Sequence, residues 1–219
     1  MKEYLAILRS CPLFAGVEEG ELLSMLQCLN ARVIRMEKEE ALFREGEPAL
    51  SVGVVLSGAA RILREDFFGN RTVLGQVEPG DLFGETFACA GVEALPVSVT
   101  AIQPTEVLLL DLRRVLTVCS HNCTFHSRLI RNLVGVLARK NLQLNGKLDV
   151  VSRRTTREKL LAYLTARAKE AGSAAFTIPF DRQALADYLG VERSAMSAEL
   201  SRLQREGILK TNRRQFELL

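Results

Sequence analysis

The stretch "GDLFGETFACAGVEALPVS", from Gly80 to Ser98, has the glycine-rich, acidic make-up of a loop that cradles a phosphate against a short helix. Such a cradle calls for a cation, yet no Arg lies between Gly84 and Thr100. The segment supplies Gly84, Glu85 and Thr86, then an apolar lining of Phe87, Val92, Leu95, Pro96 and Val97. A phosphate buried there would rest on backbone N–H groups and a helix dipole alone.

Cations gather at the other end of the chain. Residues 150–219 hold 13 Lys/Arg against 8 Asp/Glu, whereas residues 1–149 hold 16 against 18. A basic piece attached to a slightly acidic one points to a polyanionic partner. Within it, "FDRQALADYLGVERSAMSAELSRLQREGILKTNRRQFELL" carries a specific spacing. Leu185, Ala186 and Leu189 share one face of a helix from about Arg182 to Leu189, which stops at Gly190. Val191 plugs the turn, and Met196, Leu200 and Leu203 line a second helix from about Arg193 to Glu206. The remainder reads as a hairpin turning at Asn212–Arg213, the wing of a winged helix-turn-helix.

The outward face of the second helix can then enter a major groove. Arg193 is placed to read a guanine through O6 and N7, because a planar fork matches two acceptors. Ser194 and Ser197 suit a base or a phosphate, with Ala198 beside them and Arg202 and Arg205 farther along. Arg213 and Arg214 on the wing, and Arg182 at the start of the first helix, suit phosphates.

A third cluster, "CSHNCTFH", packs two of the five cysteines and both histidines into residues 119–126. Cys119 and Cys123 lie one helical turn apart and could share a soft metal or form a redox pair, with His126 near the same face. The bland reading is half-buried cysteines and solvent-facing imidazoles. An odd cysteine count with no zinc or disulfide spacing fits a reducing compartment. No apolar run reaches the roughly 20 residues of a membrane span. The N-terminus lacks a signal-peptide pattern, so a cytoplasmic protein with no membrane partner is expected.

These residues must be held by three kinds of element. The first thirty residues are helical, with Leu22, Leu23, Leu26 and Leu29 at helical spacing. From Ala31 to about Asp111, short Val/Ile/Leu/Thr runs alternate with turn signals such as Gly46, Pro48, Gly58 and Pro79–Gly80, which implies a β-sandwich or β-barrel. "FFGN" reads as a hairpin tip. From His126 to Val151 no Pro interrupts a helix whose seam runs through Ile130, Leu133, Leu137, Leu144 and Val151, with Lys140 and Lys147 also on it. Such a helix can pair with a copy of itself or lie on the barrel. Thr155 and Glu158 form a capping-box spacing that starts a new helix, which Gly172 ends.

An α+β chain follows, with 1–120 as the β-barrel part, 121–149 as the long helix and 150–219 as the winged helix-turn-helix. A metal-dependent cupin enzyme is the alternative that a β-barrel raises, but both histidines fall outside the barrel segment. No P-loop or nucleophile–base pair is evident, so no enzyme activity is expected.

The order of parts resembles the cyclic-AMP receptor protein/Fnr family of bacterial transcription regulators over nearly the whole length. The resemblance rests on "FREGEP", "LSGAARI", "PGDLFGE", "TREKLLAYL" and "LADYLGVERSAMSAELSRL". It implies an N-terminal double-stranded β-helix of the jelly-roll type holding an effector, and a homodimer joined along residues 126–151. Two recognition helices would meet a palindromic operator in double-stranded DNA, and RNA polymerase is a further partner left open. In cyclic-nucleotide-binding members the Gly-Glu pair contacts ribose and phosphate, which here matches Gly84 and Glu85. Their phosphate-holding Arg, followed by Ser or Thr, falls on Leu95 and Pro96. The resemblance therefore implies a regulator whose effector is a small molecule other than cyclic AMP, or a barrel kept as a dimer scaffold. Control by redox state or metal through Cys119 and Cys123 is the alternative, although the family's iron–sulfur members use an N-terminal cysteine group that Cys11 and Cys28 do not reproduce.

Overall fold

The computed structural model describes residues 2–69, 71–116 and 124–219. Two short helices open it, α1 (Leu5–Ser10) and α2 (Glu19–Cys28). Glu18 and Glu21 form a capping box at the start of α2, placing carboxylates where the helix dipole favours them.

Among the described residues eight strands follow: β1 (Arg32–Met36), β2 (Ala41–Phe43), β3 (Ser51–Ser57), β4 (Ala60–Glu65), β5 (Arg71–Val77), β6 (Leu82–Phe83), β7 (Ser98–Ala101) and β8 (Thr105–Asp111). A short helix, α3 (Glu85–Ala90), interrupts them between β6 and β7. They pair antiparallel in two sheets of four, ordered β1-β8-β3-β6 and β2-β7-β4-β5. Two interleaved four-stranded sheets are a jelly roll. Among the described residues the sheets do not close into a barrel. The sheets end on β1 and β6 and on β2 and β5, and among the described residues no strand pairing joins one sheet to the other.

β3 and β8 sit at the centre of the first sheet and are covered on both faces. Inward, Val55, Val107 and Leu109 meet Ala60, Val77, Val99 and Ala101 of the second sheet. Outward, Val52, Val54, Leu108 and Leu110 pack on α1 and α2. Double burial explains why "SVGVVLS" and "TEVLLLD" read as continuous apolar runs rather than alternating ones. Gly53 is required there, because a Cβ would stand 2.2 Å from the Phe83 ring on the neighbouring strand.

After α4 (Leu112–Leu116) comes α5 (Thr124–Val151). Its first half buries Leu129, Leu133 and Val136 in the same core as α1 and α2. That corrects the expected seam: Leu133 is only 2% exposed and belongs to its own domain. The outward stripe instead runs Ile130, Val134, Leu137, Asn141, Leu144, Leu148 and Val151, in alternating steps of four and three, with Ile130, Leu137 and Val151 half-buried and Leu137 at the edge of that same core. Val134, Leu144 and Leu148 on it are 60%, 66% and 63% exposed.

The chain divides into two compact units, Met1–Arg139 and Lys140–Leu219, so the division falls inside α5. Its last turns join the second core through Val150. In the second unit, α6 (Thr156–Ala171) starts from Thr155, whose Oγ1 accepts from the Glu158 N–H while Glu158 accepts from the Thr155 N–H. There follow β9 (Ala175–Thr177), α7 (Arg182–Leu189), α8 (Arg193–Arg205), β10 (Leu209–Asn212) and β11 (Gln215–Leu218). The three strands form one antiparallel sheet ordered β10-β11-β9. Among the described residues no helix is long and apolar enough to cross a membrane.

Candidate functional site

In the second unit the local chemistry of each helix end aims the next element. The Asp181 carboxylate caps α7 by accepting from the Ala184 N–H at 2.8 Å. Gly190, at φ 62°, ends α7 in the left-handed conformation that lets the chain turn sharply into α8. Leu185, Ala186 and Leu189 of α7 and Met196, Leu200 and Leu203 of α8 are all buried in one core, which fixes the two helices together. The opposite face of α8 is left outward, and Arg193, Ser194 and Ala198 on it are exposed while Ser197 is half-buried.

The wing turns one residue later than the hairpin expected from the sequence. Asn212 pairs with Gln215, so Arg213 and Arg214 form the turn, and both are exposed. Arg213 adopts φ 53°, a left-handed region that a residue with a Cβ enters rarely and at a cost. Between the wing and the start of α8 lies a cleft of about 850 Å³ lined by Arg182, Arg193, Arg213, Arg214 and Asp181, among others. Four guanidinium groups face one carboxylate, and that carboxylate is already engaged as the α7 cap. The cleft is thus built to attract an anion.

Its arginines differ in kind. Arg182 is half-buried, with Nη2 donating to Thr211 Oγ1 at 2.9 Å and the guanidinium 5.2 Å over the Phe216 ring. Its Nη1 is buried with no partner, and burial lowers its pKa. Arg182 therefore braces the wing from inside, where the sequence suggested an outward phosphate contact. Arg202 is also engaged. It donates through Nε to Glu206 at 3.0 Å, and Glu199 lies 4.0 Å away. Arg157 of α6 completes that cluster, reaching Glu199 at 3.1 Å and Glu206 at 2.5 Å. The Arg157 guanidinium holds the Glu206 carboxyl below its ordinary range. Arg205 is exposed on the last turn of α8.

Arg157 and Gln215 were absent from the residues picked out by sequence. A signal for Arg157 existed: Glu199 and Glu206, seven apart on a helix aimed at a polyanion, demand a cation from elsewhere.

The first unit holds the glycine-rich segment differently. Gly84, at φ 79°, precedes α3, and a Cβ there would stand 3.0 Å from the Phe43 ring and 3.2 Å from the Ser51 carbonyl. Glu85 is buried, and Thr86 Oγ1 lies within 3.2 Å of its Oε1. Phe43 and Phe83 pack at 5.6 Å between the sheets. Leu95 is 3% exposed, and its backbone is stapled to the loop after β2: its N–H donates to Glu47 at 2.8 Å and its carbonyl accepts from Gly46 at 2.9 Å. Val97 is buried too, Phe87 is half-buried, and Pro96 is exposed.

Cys119 and Cys123 lie outside the described residues. His126 is 1% exposed, not solvent-facing, with its ring 5.0 Å from Phe125 and Nδ1 without a partner among the described residues. Among the described residues no three His, Cys, Asp or Glu side chains come together where they could hold a metal.

Comparison with known proteins matches both units. The model of the cyclic nucleotide-binding domain covers residues 33–122, and that of the Crp-like helix-turn-helix domain covers residues 158–219. The chain is 26% identical over 189 residues to the transcriptional activator protein FnrA of Stutzerimonas stutzeri, spanning 84% of this chain and 75% of that one. It is 26% identical over 209 residues to the cyclic AMP receptor protein of Thermus thermophilus, spanning 93% and 90%. The crystal structure of the Thermus thermophilus catabolite activator protein aligns at a TM-score of 0.56 and 25% identity, over 95% of this chain and 93% of that one.

Proposed function

The chain belongs to the Crp/Fnr family of transcriptional regulators, DNA-binding proteins and not enzymes, and we propose that it reads a palindromic operator as a homodimer. Each copy presents α8 to one half-site, with half-sites about 34 Å apart. The observation that carries this reading is the cleft where Arg193 at the start of α8 meets Arg213 and Arg214 of the wing. Arg193 reads a guanine, Ser194, Ser197 and Ala198 face neighbouring bases or phosphate, and Arg205 with the wing arginines takes phosphates. Arg182 acts on the wing rather than on DNA directly, and Arg202 reaches a phosphate only by leaving Glu206.

The outward stripe of α5 supports the dimer. Seven positions in alternating steps of four and three form a self-complementary seam, and a two-fold interface uses one patch twice. Residues 1–120 then serve the effector, 121–149 the pairing and 150–219 the operator.

The effector of this chain is not cyclic AMP. Leu95 stands where the resemblance puts the phosphate-holding Arg, and it is buried and tied by both backbone groups. An incoming phosphate would lose a charge-assisted pair worth about 1.5–3 kcal/mol. A less anionic small molecule bounded by Gly84, Glu85 and Phe87 fits the apolar surroundings better.

The test is fluorescence anisotropy on an operator selected from randomised duplexes. Arg193→Ala is expected to weaken the selected site by about 1–3 kcal/mol and relax preference at one base per half-site. An equal loss on selected and random DNA would remove the base-reading role. Cyclic AMP at millimolar concentration is expected to leave Tm unchanged, and a rise would restore it as effector.

A further inference from the structure

We propose that Asn141 sets the register and the two-stranded state of the α5 pairing, an inference that rests on the homodimer reading. Among the seven positions of the outward stripe, Asn141 is the one polar side chain. Written as a coiled-coil heptad, Ile130, Leu137 and Leu144 occupy d positions, and Val134, Asn141 and Leu148 occupy a positions. In a parallel pair, like positions face each other. Asn141 of one copy then meets Asn141 of the other, and their amides can exchange a hydrogen bond.

A slip by one heptad sets each amide against Val134 or Leu148 and leaves it unsatisfied. An antiparallel pair faces Asn141 with a d-position apolar residue and brings the g-position Lys140 and Lys147 of both copies together. A parallel pair instead sets Lys140 and Lys147 beside the neutral e-position Asn145 and Ser152. Charge and polarity on the stripe therefore select the same arrangement: parallel, unshifted, two-stranded.

Local structure prepares the amide. Asn145, one turn on, donates through Nδ2 to Asn141 Oδ1 at 2.8 Å, which holds the Asn141 side chain before any partner arrives. The same polarity weakens the seam relative to an all-leucine one, so pairing stays within reach of a regulatory signal.

Sedimentation equilibrium on the full chain tests this with two variants at exposed positions. Asn141→Leu is expected to tighten the dimer by about 10-fold or more and to populate species larger than dimers. An unchanged dissociation constant with dimers only would overturn the role of Asn141. Leu144→Asn is expected to weaken the dimer by about 10-fold or more, because it adds a second polar layer to the same seam. If Leu144→Asn dissociates the dimer while Asn141→Leu does nothing, the homodimer reading stands and this inference falls. Wild-type protein that stays monomeric, or a dimer indifferent to both variants, overturns the α5 pairing itself.

Discussion

The glycine-rich segment of the first unit and the basic cleft of the second treat charge in opposite ways. Around Leu95 the chain turns apolar groups inward and closes them with backbone hydrogen bonds to Gly46 and Glu47. Around Arg193 it turns cations outward and leaves an open cleft of about 850 Å³. Both regions carry local parts of an anion site: a glycine turn before a short helix in one, a helix start beside an arginine turn in the other. Only the second has the cations. On the proposed reading, anion recognition is concentrated at the arginine cleft of the second unit, and the apolar segment of the first suits a less charged ligand.

The sharpest way to break that contrast is to restore a cation in the first unit. Leu95→Arg is expected to destabilise the protein by about 3–5 kcal/mol, because it forces a guanidinium into the space of a leucine that is 3% exposed. Chemical denaturation followed by circular dichroism measures the loss. A variant of wild-type stability that also binds cyclic AMP would mean that the segment opens readily, and the two regions would then differ in one residue only.

Arg182→Ala probes the other region at the point where it is least open. It removes the bond to Thr211 and the stacking on Phe216, for an expected loss of about 1–2 kcal/mol in stability. DNA affinity should fall along with it, since the wing loses its brace. Arg182→Lys keeps the charge but not the planar fork, so it should recover little of either. Full recovery by lysine would make Arg182 a simple phosphate contact, as its position at the start of α7 suggested.

Those two residues show what the sequence could convey. Helix ends were legible because they are local: Thr155 with Glu158, and Gly190 before Val191, announce their geometry within five residues. Jelly-roll strands were legible as short apolar runs, and Leu95 was legible as a missing cation. The pairing of Arg157 with Glu199 and Glu206 was not, because those partners lie more than forty residues along the chain, whereas Arg202 meets Glu206 at local i+4 spacing. Leu133 and Val134 fit a helical seam equally well by spacing, and only packing against α1 and α2 assigns Leu133 inward. The wing turn falls one residue later than the expected Asn212–Arg213, because the ladder to Gln215 keeps Asn212 in the strand.

A smaller effect sharpens the outward character of the cleft. Arg214→Ala is expected to cost under about 1 kcal/mol and to reduce the slope of log K against log salt by about 1, equally for selected and random DNA. A sequence-dependent loss would promote Arg214 from phosphate contact to base reader. Titration of affinity between low and physiological salt separates the two.

The smallest expected effect concerns the carboxylates that hold Arg202 and Arg157. Hydrogen bonding from Arg157 lowers the Glu206 pKa from its ordinary 4.5, and the Thr155 N–H does the same for Glu158. A carboxyl whose folded pKa is depressed adds stability that is complete above its unfolded value and fades as pH falls through the lower, folded one. Tm of the wild type should therefore hold steady above the carboxylate range and decline below about pH 4.5. Glu206→Gln should soften that decline slightly, because one of the depressed carboxyls, which also include Glu106, Asp111 and Glu158, no longer titrates, while slightly freeing Arg202 for phosphate at neutral pH. The second effect would appear as a modest gain in non-specific DNA affinity. If the variant kept the full acid slope and bound DNA as before, Arg202 would already be released from Glu206 in solution, and the cluster would not restrain the cations of α8.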